Sequence, residues 1–90
     1  MVKDLHKFNI IIPGELEKKL EDEGILPRHI RQVIENAEKT GNKVRIDGEN
    51  IFIAHLPIGM VTFWVEYTPD ESNFVLLNAY CHRIQIMEGN

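Results

Sequence analysis

Ninety residues with 43% apolar and 27% charged content specify one globular domain with material for a single core. No apolar run approaches the roughly 20 residues of a membrane-spanning helix, and a single cysteine, Cys81, excludes an internal disulfide. The net charge of −4 is unevenly placed: residues 1–45 hold nine Lys/Arg against eight Asp/Glu, and residues 46–90 hold one against six. Phosphate backbones are held mainly by Lys and Arg, so the acidic second half argues against nucleic acid as a partner. The opening residues lack the long apolar stretch and small-residue cleavage site of a signal peptide. With one cysteine and no span, the expected compartment is the cytoplasm, with no membrane contact.

In chain order, residues 7–12 (KFNIII) read as a strand, ended by Pro13-Gly14. Residues 14–23 form a short helix with Leu16 and Leu20 on one face and oppositely charged pairs four apart, stopped by Gly24. Ten residues of helix are marginal alone, so this one must pack on something. The second helix is clearer. Pro27 suits its first turn, Ile30, Val33, Ile34 and Ala37 make one apolar stripe, and Gly41 follows the last turn.

Four strands follow. Residues 44–46 lead into Asp47-Gly48, a hairpin signal, and residues 51–54 return. Residues 56–59 (LPIG) turn the chain into residues 60–67. A four- to six-residue turn then leads to residues 74–87, with a bend or break near Asn78. The expected fold is α+β, in the order β-α-α-β-β-β-β. Two helices pack on one face of a four- to five-stranded, mainly antiparallel meander.

With Thr68 opposite Asn73, strict alternation assigns the two faces of the last hairpin. Val61, Phe63, Val65, Tyr67, Phe74, Leu76, Asn78, Tyr80 and His82 make one face, the bulkier, and the helices should cover it. Thr62, Trp64, Glu66, Val75, Leu77, Ala79, Cys81 and Arg83 make the other. A one-residue slip would exchange these assignments.

Cys81-His82-Arg83 gathers the only cysteine, one of four histidines and the only cation after Arg45. Neighbours in a strand point to opposite faces, so Cys81 and His82 cannot form a thiolate–imidazolium pair. His55 shares a face with Cys81 on this reading, but two strands away, roughly 9–10 Å between backbones. An inert, packed cysteine is therefore expected. Zinc ligands come in close pairs, and His6, His29, His55 and His82 are scattered singly, so no metal and no cofactor are expected. Tyr80, His82 and Arg83 could contact an anion or RNA, against the plainer expectation that Arg83 pairs with Glu66. Arg28, His29 and Arg31 form a small basic cluster that reads as a solvated face. Trp64, with Cys81, Arg83 and His55 around it, marks the face on which a partner would bind.

Two stretches, GMVTFWVEY and FVLLNAYCHRIQI, on a layout of strand, two helices and antiparallel strands, resemble the RelE/ParE toxin family. The resemblance implies a ribosome-dependent mRNA nuclease or gyrase inhibitor, with Tyr80, His82 and Arg83 as its catalytic residues. This chain departs from the basic RelE pattern, carrying Thr62 and Glu66 where those members carry Arg or Lys. The helix HIRQVIENAEKTGNK with VTFWVEY and NAYCHRI also resembles small uncharacterised proteins found alongside iron–sulfur and flavin oxidoreductases of anaerobes, which implies an accessory role. With no catalytic motif in the chain, the leading expectation is a non-catalytic interaction or accessory module, paired with another protein or with itself as a homodimer. A RelE-like nuclease and a small-ligand or metal module at His55 and Cys81 are the alternatives.

Overall fold

The computed structural model describes residues 8–83. Its elements run β1 (Ile10–Ile11), α1 (Gly14–Glu23), α2 (Pro27–Thr40), β2 (Val44–Arg45), β3 (Phe52–Ile58), β4 (Val61–Asp70) and β5 (Asn73–Arg83). The fold is α+β, in the expected order. The outer parts of the first and last strands read from the sequence, residue 7 and residues 84–87, lie outside the described residues.

Both helices follow from local rules. The stripe Ile30, Val33, Ile34 and Ala37 is buried along its whole length. Full burial of each larger member contributes roughly 1.5–3 kcal/mol relative to exposure. Gly41 ends α2 in the left-handed conformation at φ 81°, where its N–H reaches the carbonyl of Ala37. Helix α1 buries Leu20 and ends in the same way at Gly24.

The start of α2 has a less ordinary device. Leu26, the N-cap, has no side-chain acceptor to offer. Its own N–H instead donates to Nδ1 of His29 at 3.0 Å, the half of a capping box usually filled by Glu or Gln. The imidazole stacks on Phe63 of β4 with ring centroids 4.3 Å apart. Burial first, then the charge of Arg28, lowers the His29 pKa from its ordinary 6.5. The folded state thus favours neutral imidazole. Its contribution is present above pH 6.5 and is lost as pH falls through the lowered folded value. Thermal melts from pH 7.5 to 5 should show the wild type losing more stability than His29→Gln, which keeps an acceptor without titrating. Equal slopes in the two proteins would remove this role.

The sheet has the order β1-β5-β4-β3-β2. Strands β2 to β5 form the expected antiparallel meander, and β1 lies parallel beside β5, Ile10 opposite Phe74 and Ile11 opposite Val75. Several strand limits differ from the sequence reading: of residues 8–12 only Ile10–Ile11 are strand, and Ile46 falls outside β2. Strand β3 runs through Pro57 to Ile58, and the turn shrinks to Gly59-Met60, since Ile58 opposes Val61. The β4–β5 strands continue to Asp70 and Asn73, leaving the two-residue turn Glu71-Ser72. Glu71 has φ 60° there, a strained conformation for a residue with a Cβ.

Helix α2 packs on β3 and β4, and α1 on β5. The buried core holds Phe63, Val65, Tyr67, Phe74, Leu76 and Ala79 from the sheet. Up to Leu76 the covered hairpin face is thus the bulkier one, as expected. One polar cluster is set into its edge. The Tyr67 hydroxyl donates to Glu38 Oε2 at 2.7 Å, and Lys43 Nζ reaches the same oxygen at 2.7 Å. Lys43 also lies 4.2 Å from the centroid of the Phe52 ring.

Candidate functional site: the uncovered sheet face

The register of β4 and β5 shifts at one point. Tyr67 opposes Leu76 and Glu66 opposes Asn78, so Leu77 has no partner of its own and forms a β-bulge. This is the break expected near Asn78, and it reverses the faces of everything beyond it. Val65 now opposes Ala79, and Phe63 opposes Cys81, on the helix-covered side. Asn78, Tyr80 and His82 take the other side. The alternation read from the sequence is therefore corrected for six residues: Asn78, Tyr80 and His82 leave the covered face, and Ala79, Cys81 and Arg83 join it.

The candidate residues divide accordingly. Cys81 packs against the core, its Sγ 3.9 Å from the Glu23 carbonyl. Arg83 opposes Val61 on the Cys81 side, and Glu66 is five residues up that strand from Val61, about 16 Å away. The expected Arg83–Glu66 ion pair does not form. His55 and Cys81 lie on opposite faces, so they make neither a nucleophile–base pair nor a ligand pair. Among the described residues, no three His, Cys, Asp or Glu side chains converge on a point that could hold a metal. The basic cluster of α2 is partly absorbed into the fold. His29 caps the helix, and Arg31 donates to the Phe8 carbonyl at 2.8 Å with its guanidinium 4.5 Å over the Phe8 ring.

His55, Trp64 and Tyr80 come together. They are direct cross-strand neighbours on β3, β4 and β5. The His55 and Trp64 rings stack at 4.6 Å, and the Trp64 and Tyr80 rings lie nearly parallel at 6.2 Å. His82 meets Tyr80 edge-on at 6.1 Å. The rows above and below are Ile53–Glu66–Asn78 and Pro57–Thr62–His82. This face holds one carboxylate, Glu66, in its interior and no Lys or Arg among the described residues. One side of the indole is taken by the imidazole, so the row offers ring edges and aliphatic carbon more than a flat stacking platform.

The edges of the sheet are blunted. Strand β1 covers only the start of β5, and beyond it Lys19 Nζ caps the Ala79 carbonyl at 2.6 Å and Asn78 Oδ1 at 3.0 Å. On the other side Ile46 N–H bonds the Ile51 carbonyl at 2.9 Å, so by alternation Ile53, His55 and Pro57 turn their backbone groups outward. Beyond Ile53, β2 ends, and Pro57 has no N–H to offer an incoming strand. Lysine and proline at open edges oppose pairing between chains.

Compared with protein-family models, with curated proteins and with solved structures, the chain matches none. The aromatic row was half legible. Strict alternation puts His55 and Trp64 on one face and Tyr80 on the other, and the bulge at Leu77 is what brings all three together.

Proposed function

We propose that this chain is a non-catalytic interaction module whose uncovered sheet face binds a second copy of itself. The observation that carries the reading is the His55–Trp64–Tyr80 row on the face away from both helices. The second copy is favoured by charge. The chain carries −4 overall, so two molecules repel. They meet at least electrostatic cost through the face that has a single interior carboxylate. A two-fold axis through such a patch would set aromatic rows against each other and close the assembly. The blunted edges leave the face as the better route to a dimer.

Sedimentation across a wide concentration range tests it. The expected result is a dimer that Trp64→Glu weakens at least about thirtyfold, the effect of losing one aromatic anchor worth 2 kcal/mol or more. Trp64 is the only tryptophan, so its emission should shift over the same range. A clean monomer at high concentration would sink the reading.

The RelE-like nuclease gains one observation, since Tyr80 and His82 share the open face with rings 6.1 Å apart. Arg83 lies on the other side, and among the described residues no Lys or Arg stands on the face to hold RNA. Toxic expression with ribosome-dependent mRNA cleavage, abolished by His82→Ala, would carry that reading. Harmless overexpression without cleavage removes it.

A further inference from the structure

The helical layer carries a second surface, with different chemistry. A groove of about 310 Å³ opens between α1, the connection into α2 and the end of β1. That is the low end of the range for binding pockets, room for one or two anchoring side chains. Its walls are apolar: Ile12, Leu20, Ile25, Leu26 and Pro27. Leu26 remains 42% exposed beside it, unusual for a leucine next to a formed core.

The rim is acidic and unanswered. Glu17 and Glu21 stand one helical turn apart along the groove, both exposed. The lysines of α1 are committed elsewhere: Lys18 to Asp22 at 3.5 Å, Lys19 to Glu23 at 3.6 Å and to the Ala79 carbonyl. Neither Glu17 nor Glu21 has a cation among the described residues. Glu21 is also at the wrong end of its helix. The last turn of α1 contains no basic residue, and a carboxylate there opposes the helix dipole. Asp22 and Glu23 have lysine partners, and among the described residues Glu21 has none. An external cation at this rim would meet two carboxylates that no described residue answers.

We infer that the groove receives an amphipathic helix from another protein, seated by apolar side chains and flanked by Lys or Arg four residues apart. Such a helix lays anchors at i, i+3 and i+4 into an apolar groove. A basic pair one turn apart on its flank matches the spacing of Glu17 and Glu21. The groove lies on the helical side of the sheet, so it is independent of the aromatic row. A single molecule could hold a second copy on one side and a helix on the other.

The test is fluorescence anisotropy with three labelled 16-residue designed helices. Each carries leucines at i, i+3 and i+4 and lysine flanks in a different register, beside a counterpart with glutamate for lysine. At least one basic peptide should bind saturably, and its acidic counterpart should not. Glu17→Lys/Glu21→Lys and, separately, Leu26→Asp should each weaken binding tenfold or more. Asp47→Lys/Glu49→Lys, on the turn at the far edge of the sheet, should change it less than twofold. Trp64→Glu should leave it unaltered, so failure of the self-association reading does not touch this one. Melts of each variant confirm that it is folded. No saturable binding to any of the three peptides overturns the inference. So does equal weakening by the Asp47/Glu49 reversal, which would mean diffuse charge attraction, or equal affinity for the acidic counterpart.

Discussion

Ala79→Asp is expected to abolish cooperative unfolding, whereas Tyr80→Asp, one residue along, leaves a folded protein within about 1 kcal/mol of the wild type. Ala79 is 1% exposed on the helix-covered side, opposite Val65. A carboxylate there is forced into the packed core; the one nearby cation, Lys19, is already held by the Ala79 carbonyl, Asn78 and Glu23, and burying a charge costs several kcal/mol. Domains this small have roughly 5–15 kcal/mol in all. Tyr80 stands on the uncovered face, where in the dilute monomer an aspartate stays in water. Without the bulge at Leu77 the two residues would exchange faces, and so would the two outcomes. Circular dichroism on heating reads the difference. A folded Ala79→Asp beside an unfolded Tyr80→Asp would place the bulge elsewhere.

Glu38→Ala should cost about 3 kcal/mol. Glu38 Oε2 is the acceptor for both the Tyr67 hydroxyl and Lys43. Tyr67 is fully buried, and an unsatisfied buried donor costs about 1–3 kcal/mol, with more for the stranded ammonium beside it. For a domain of this length that loss lowers Tm by roughly 12–24 °C. Tyr67→Phe removes the donor together with its need, and should cost less, about 1–2 kcal/mol. Burial first, then the hydrogen bond and charge of Glu38, pushes the Tyr67 pKa above its ordinary value of about 10. Stability from the neutral phenol is therefore present below pH 10 and is lost as pH rises beyond it. Tyr67→Phe should flatten that alkaline decline. A Glu38→Ala protein as stable as Tyr67→Phe would mean that water satisfies the phenol.

The two helices were legible almost to the residue, because a 3.6-residue stripe and its Pro and Gly stops are local signals. Ile30, Val33, Ile34 and Ala37 are where that pattern puts them. The meander was legible too, since short connections force neighbours to pair. Sidedness beyond Leu77 was not. Nothing in FVLLNAY marks a bulge: it has no glycine, and either leucine could take the unpaired place. Each side-chain assignment after it inherits the error. Proline usually ends a strand, so the sequence points to a β3 shorter than the observed Phe52–Ile58. Pro57 stays because β2 has already stopped, and the missing N–H faces no neighbour. The polar cluster at Tyr67 was invisible for another reason. Glu38 is on α2, Lys43 on the connection after it and Tyr67 on β4, 29 positions from Glu38, so no local spacing brings the phenol to the carboxylate.

Strand β1 joins the two ends of the described chain. Asn9 N–H donates to Asn73 Oδ1, 64 positions away, and Phe74 N–H returns a bond to the Asn9 carbonyl. Closing so long a loop is slow compared with forming the hairpins among β3, β4 and β5. On a ribosome Phe8, Ile10 and Ile11 emerge before anything they pair with in the sheet exists. Helix α2 offers an earlier hold, through Arg31 on the Phe8 carbonyl and ring. The first strand made is thus the last one placed, and a chain released before residue 75 would keep that apolar segment open to its neighbours.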